Sequence, residues 1–291
     1  MPTIRPRRSF IFCPGTKPEM FPKALRSGAD IVCVDLEDAV APAEKAAARD
    51  KTLALFDEPQ AEDGDRESED DVERIVRVNC LRTPEGMADV QAVLASVRPP
   101  PALMLPKVKG PEEVRGLADL LDEFDRPCRL HVIIETNEGL EAAPEIARAS
   151  ERVAALFFGG VDMAADLRCA STWPALAYAR SRTVHAAATA GLDVIDVPYL
   201  DLDDLEGMRR EAEAAAELGF VGKGAIHPKQ IAVLNAIFTP DEAVVERARR
   251  IVAAFEAGDT GLLVIDGKLI ERPVLRSMVR ILAIAERVGA G

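Results

Sequence analysis

The chain has 291 residues, 48% of them hydrophobic, enough for one α/β domain with a sizeable core and an appendage. Forty-nine acidic against 36 basic residues give a net charge of −13 and a pI near 4.9, which argues against nucleic acid or an anionic membrane as partner because polyanions are repelled at long range. No apolar run approaches the roughly 18 residues of a membrane span, and five cysteines without a CxxC pair read as reduced thiols, so a cytoplasmic protein is expected.

Eight short, β-branched apolar runs follow in order: Ser9 to Cys13, Ile31 to Val34, Ile75 to Val78, Ala102 to Leu105, Leu130 to Ile134, Val153 to Phe158, Val194 to Val197 and Gly224 to Ile226. Helix-like stretches such as Ala43 to Phe56, Pro111 to Phe124 and Leu205 to Leu218 fill most gaps between them. This rhythm is βα repeated eight times, which closes into a (β/α)8 TIM barrel over residues 1–235. Ten of the seventeen residues from Asp57 to Glu73 are acidic, which predicts a solvated loop ahead of the third strand. Beyond Asn235, amphipathic helices from Asp241 to Glu256 and Pro273 to Val288 form a helical extension over residues 236–291. A barrel already complete leaves their Val244, Ile251, Leu275 and Ile281 in need of another surface, such as a neighbouring subunit.

A barrel carries its chemistry where its strands end, and here the ends are rich in oxygen ligands. Glu135 and Asp162 each follow an apolar strand directly, and the two strands are sequential neighbours. Either they share a hard divalent cation such as Mg2+, or Glu135 pairs with Lys107 and Asp162 caps the following helix. Arg77 has the parity of Ile75 and Asn79, so it points either at a substrate carboxylate or into a buried pair with Asp35 or Glu37. Asp35, Glu37 and Asp38 place three carboxylates in four residues, fit for proton transfer or for positioning. Lys107 raises the rival of a Schiff base with a ketone, although a carboxylate-rich mouth keeps such a lysine protonated. Gly159-Gly160 suits either a close backbone approach to a ligand or a tight turn. His227, ahead of Pro228, reads as a loop-holding residue, and no GxGxxG or P-loop supports a dinucleotide site.

The segments Arg8-Ser-Phe-Ile-Phe-Cys-Pro-Gly15, Asp35-Leu-Glu-Asp-Ala-Val-Ala-Pro42, Arg77-Val-Asn79, Leu105-Pro-Lys107, Ile134-Glu-Thr136, Asp162-Met-Ala-Ala-Asp-Leu167, Ala225-Ile-His-Pro-Lys-Gln230 and Asp266-Gly-Lys268 resemble the citrate lyase β-subunit-like branch of the HpcH/HpaI aldolase family. That branch includes citryl-, malyl-, β-methylmalyl- and citramalyl-CoA lyases. The resemblance implies a Mg2+-dependent lyase that cleaves or forms the C–C bond between a 2-oxo acid and an acyl-CoA. It places the metal on Glu135 and Asp162 and the carboxylate clamp on Arg77. It gives Glu37 and Asp38 the ordering of water and of the arginine, sets Arg8 and Lys17 near the coenzyme A phosphates, and brings backbone near Gly160 to the oxo acid.

In several relatives a C-terminal Gly-Lys-Met-Ile-Asp segment supplies a proton-carrying aspartate across a subunit boundary. Here the stretch reads Gly267-Lys-Leu-Ile-Glu271, so the carboxylate of Glu271 stands one methylene further out, on the order of 1.5 Å. Packing of the C-terminal helices on a neighbour, with this lid crossing over, predicts a homotrimer or hexamer; the family does not fix the substrate, and malyl-CoA or citramalyl-CoA is the preferred reading. Three alternatives stay open: a citrate lyase β subunit serving an acyl carrier protein thioester, a malyl-CoA thioesterase, and a catalytically weakened metal-binding homologue.

Overall fold

The computed structural model describes residues 5–57, 72–257, 262–265 and 268–289. They fall into two compact units, Arg7–Asn235 and the combination of Met1–Pro6 with Ala236–Gly291. In the first, strands β1 (Ser9–Pro14), β2 (Ile31–Asp35), β3 (Glu73–Arg77), β4 (Ala102–Leu105), β5 (Arg129–Ile134), β6 (Val153–Phe158), β7 (Asp193–Asp196) and β8 (Gly222–Ala225) pair in sequence order, all parallel. β1 pairs back onto β8, closing the barrel. The predicted runs coincide with these strands to within two residues at each end. Among the described residues no helix is long and apolar enough to cross a membrane, and all five cysteines are free.

The barrel interior is layered by the two-residue period of the strands. Phe10, Ile31, Cys33, Ile75, Met104, Ile133, Phe157 and Ile195 belong to one apolar cluster filling its middle. One step along the same inward rows lie Asp35 after Cys33, Arg77 after Ile75 and Glu135 after Ile133. One step back lie Glu73, His131 and Asp193. A polar layer therefore stands at each end of an apolar plug.

The lower layer is a closed ion network. The Arg7 guanidinium donates to Glu73 (Nε to Oε2, 2.7 Å) and to Asp193 (2.8 Å), and His131 Nε2 lies 2.9 Å from Glu73 Oε1. Glu73 therefore departs from the loop expected between Asp57 and Glu73: it is a buried strand residue, and Asp57 ends the helix Lys45–Asp57. Compensating charge makes that possible, whereas residues 58–71 lie outside the described residues. Burial opposes ionisation of Glu73, but His131 and Arg7 outweigh it and hold the carboxyl well below its ordinary value. A depressed acid contributes stability that is complete above its unfolded pKa of about 4.3 and is lost as pH falls towards the folded value. Glu73→Gln is expected to cost about 3–5 kcal/mol at pH 7, the order found when one partner of a buried pair is removed. Urea denaturation checks this, and the variant should also lose part of the parent's decline in stability below pH 4.

In the second unit the helix Glu242–Ala257 is followed by an antiparallel hairpin, β9 (Leu262–Ile265) and β10 (Lys268–Glu271), and by the helix Arg272–Arg287. The two helices pack on each other. Ile251, expected to need an external surface, is fully buried, while Val244 stays 39% exposed and Leu275 and Ile281 are half-buried.

Candidate active site

Asp35 ends β2 and turns the chain: its carboxylate accepts the backbone N–H of Glu37 (2.9 Å) and of Ala39 (3.0 Å). The same two oxygens receive Arg77 Nε and Nη2, each at 2.7 Å, in a parallel fork. Both residues are buried, and the guanidinium also lies 4.7 Å over the Phe12 ring. Burial works against both charges, yet the pairing holds Asp35 below its ordinary value and Arg77 above it. Arg77 is thus committed along one edge to Asp35. Its Nη1 faces Glu37 Oε2 at 3.1 Å and Asp38 Oδ2 at 3.6 Å. Of the two sequence readings the buried ion pair is present, and one edge of the guanidinium still lines the cavity.

Glu135 follows β5, almost fully buried, and its Oε1 accepts the backbone N–H of Lys107 at 2.7 Å. Gly159, after β6, makes room for it: a Cβ there would lie 2.2 Å from Glu135 Oε2. The chain then enters the helix Gly160–Leu167, which carries Asp162 in its first turn at the same cavity. Burial raises the Glu135 carboxyl to about 8, helped by the negative charges of Asp162 and Glu37. Glu37 is raised for the same first reason, and its buried Oε2 accepts no hydrogen bond.

An oxygen-only set of acidic groups, with one carboxyl forced towards neutrality by burial beside other carboxylates, fits a hard divalent cation. Among the described residues no three His, Cys, Asp or Glu side chains converge as a metal cage. Two protein carboxylates would therefore leave most of the coordination sphere to water and substrate oxygens, the usual habit of Mg2+.

Lys107 is the residue that strand-end reasoning underweighted. Its ammonium bonds Glu37 Oε1 (2.5 Å) and Asp38 Oδ1 (3.2 Å) and stands 3.9 Å from Asp162. Partial burial lowers its pKa, but the surrounding carboxylates prevail and raise it, which keeps the amine protonated and removes the nucleophile a Schiff base needs.

Asp38, Arg77, Glu135 and Asp162 line a cavity of about 250 Å³. Its apolar lining is Phe10, Met104, Ile133 and Phe157 from the plug, with Phe12 packed against them, and Phe158. Its rim carries Val161, Leu200 and Ile226, all well exposed. A water-poor floor beneath fixed charges strengthens every electrostatic contact made there.

The remaining predicted residues are dispersed. Arg8 precedes β1, at the end of the barrel opposite the cavity, and forks onto Asp30 with two contacts of 2.8 Å. A position near the coenzyme A phosphates at the strand C-termini is therefore not where the structure puts it; the motif lies next to the site in sequence but spans the barrel's full height. Lys17 is exposed in the loop after β1, at the cavity end. Gly160 opens its helix with the Phe158 ring and Val197 each 3.1 Å from where its Cβ would be, so the close approach to a site side chain belongs to Gly159 instead. Glu271 is exposed at the end of β10 in the second unit. His227 caps a short 3-10 turn, accepting the Lys229 N–H and forming a capping box with Gln230.

Residues 8–228 match the family described as HpcH/HpaI aldolase/citrate lyase. The chain belongs to this family. It is 34% identical to an L-malyl-CoA/β-methylmalyl-CoA lyase of Cereibacter sphaeroides over 99% of its own length and 98% of the relative's. It is 36% identical to a (3S)-malyl-CoA thioesterase of the same species, covering 98% and 96%. Among solved structures it is similar to the CitE protein of Mycobacterium tuberculosis in complex with magnesium, acetoacetate and coenzyme A, at TM-score 0.75 and 30% identity, covering 97% of each chain. The family member described here is thus an enzyme of the oxo-acid lyase type in the CitE and malyl-CoA lyase-like branch.

Proposed function

We propose that the protein is a Mg2+-dependent carbon–carbon lyase that cleaves, or in reverse forms, a short 3-hydroxyacyl-CoA such as malyl-CoA or citramalyl-CoA. The products are a 2-oxo acid and an acyl-CoA. The observation carrying this reading is the meeting of Glu135, Asp162 and Arg77 around one apolar-floored cavity. Glu135 and Asp162 hold the ion, which when bound supplies Lewis acidity towards the oxo-acid oxygens.

Arg77, locked in orientation by Asp35, turns its cavity-lining edge, which it shares with Glu37 and Asp38, to the substrate carboxylate and to the oxygen that gains charge as the C–C bond breaks. Glu37, whose carboxyl burial pushes upward, takes the hydroxyl proton with Asp38 or orders the water that does. The electron pair of the broken bond passes to the thioester α-carbon, which Glu271 of a neighbouring subunit protonates. Lys17 remains the contact for the coenzyme A phosphates, and the amides that begin the helix at Gly160 face the oxo-acid carboxylate.

Purified protein, Mg2+ and malyl-CoA or citramalyl-CoA form the test, run on material whose sedimentation is measured alongside. Glyoxylate or pyruvate with acetyl-CoA is expected, from a trimer or hexamer. Free CoA with malate instead supports the thioesterase reading, which the 36% identity to such an enzyme favours. Cleavage restricted to an acyl carrier protein thioester supports a citrate lyase β subunit. Inertness of every thioester would sink the lyase assignment, and a monomer at micromolar concentration removes Glu271 from it.

A further inference from the structure

Lys107 has φ 53°, a left-handed conformation that a residue with a side chain keeps only when its surroundings hold it there. Its contacts supply that hold. The backbone N–H donates to Glu135 Oε1 at 2.7 Å, and Nζ lies 2.5 Å from Glu37 Oε1, 3.2 Å from Asp38 Oδ1 and 3.9 Å from Asp162 Oδ1. One residue therefore touches Glu135, Glu37, Asp38 and Asp162, the four acidic side chains of the barrel mouth to which the lyase reading gives metal or proton work. Arg77, whose fork is closed on Asp35, reaches Glu37 and Asp38 through Nη1 at 3.1 and 3.6 Å, whereas Lys107 also meets Glu135 and Asp162.

We infer that Lys107 is a positioning residue and an internal counter-cation, whose ammonium gathers the acidic cluster and competes with the divalent ion for it. The inference rests on the proposed metal site and adds to it a determinant of how tightly the site takes the ion. The side chain is 32% exposed, so solvent screens the ammonium only in part, and a cation arriving beside Asp162 meets a positive charge already within about 4 Å. The left-handed backbone is what makes the double contact possible. It turns the N–H towards Glu135 while the side chain crosses the mouth to Glu37 and Asp38. The result is a site that holds its carboxylates in place before metal arrives.

Calorimetric titration of substrate-free protein with Mg2+ tests this. Lys107→Met keeps most of the side-chain length and the backbone N–H but loses the charge, and it is expected to bind Mg2+ about tenfold more tightly than the parent. Lys107→Arg should stay within about threefold of the parent. In steady-state assays of the lyase reaction the Met variant should lose kcat with the KM for the thioester unchanged, and the Arg variant should recover part of it. Should the Met variant fold poorly, Lys107→Gly carries the same measurement, since glycine is at ease at this φ. Equal or weaker Mg2+ binding by the charge-free variants overturns the inference and leaves the metal site standing. Absence of Mg2+ binding in the parent overturns both.

Discussion

Glu135→Gln is expected to fold at least as stably as the parent in metal-free buffer, yet to lose all Mg2+-induced stabilisation and at least about 10³-fold of turnover. The amide keeps the shape of the side chain and an oxygen for the Lys107 N–H, now 2.7 Å from Oε1. It removes a charge whose ionisation is opposed by burial and by Asp162 and Glu37, the causes that bring the carboxyl to about 8. Stability without metal should therefore not suffer, in contrast to most losses of a buried charged group. The kinetic loss corresponds to about 4 kcal/mol of transition-state stabilisation, the scale of a missing Lewis acid. Thermal unfolding with and without Mg2+, beside steady-state kinetics, reads both effects. A variant that still gains stability from Mg2+ would remove Glu135 from the metal site.

Asp35→Ala should be among the most destabilising single substitutions at the mouth, about 3–5 kcal/mol by urea denaturation. It strands the buried Arg77 guanidinium and leaves the backbone amides of Glu37 and Ala39 without their acceptor. Arg77→Met should cost a similar amount from the other side, because it strands Asp35. The double variant is expected to lose less than the sum of the two, since neither charge is then left unpaired. Additive losses would show that the fork carries no coupling. Asp35→Ala should also bind the oxo acid poorly, because Arg77 without Asp35 is drawn to Glu37 and Asp38, 3.1 and 3.6 Å from Nη1.

Much of the site could be read from strand parity. Ile75 to Arg77 and Ile133 to Glu135 are two-residue steps, so placing the apolar residues inward places the charged ones at the mouth. Parity could not say what Arg77 meets, because Asp35 lies 42 residues away and the fork exists only when β2 and β3 pair in the observed register. Hydropathy likewise had no means of finding Lys223, which lies within β8, is fully buried, and is neutralised by Asp196 and Glu211 at 2.6 Å each. Glu73 was assigned to an acidic loop for the same reason: its counter-charges Arg7, ahead of β1, and His131, in β5, come from distant parts of the chain. The misplacement of Arg8 has a simpler cause. A strand of six residues is about 20 Å long, so neighbours in a motif can stand at opposite ends of a barrel.

The order of apolar runs and gaps was enough to set the eightfold βα repeat, the closed parallel sheet and the acids at its C-terminal ends, because those features depend on local periodicity and on the long crossover that parallel strands require. Folding alone decided which charges neutralise one another: Asp35 with Arg77, Glu73 with Arg7 and His131, and Lys107 across Glu37 and Asp38. Coulomb energy depends on separation and on the loss of water, and both are set only when residues far apart in the chain are buried side by side.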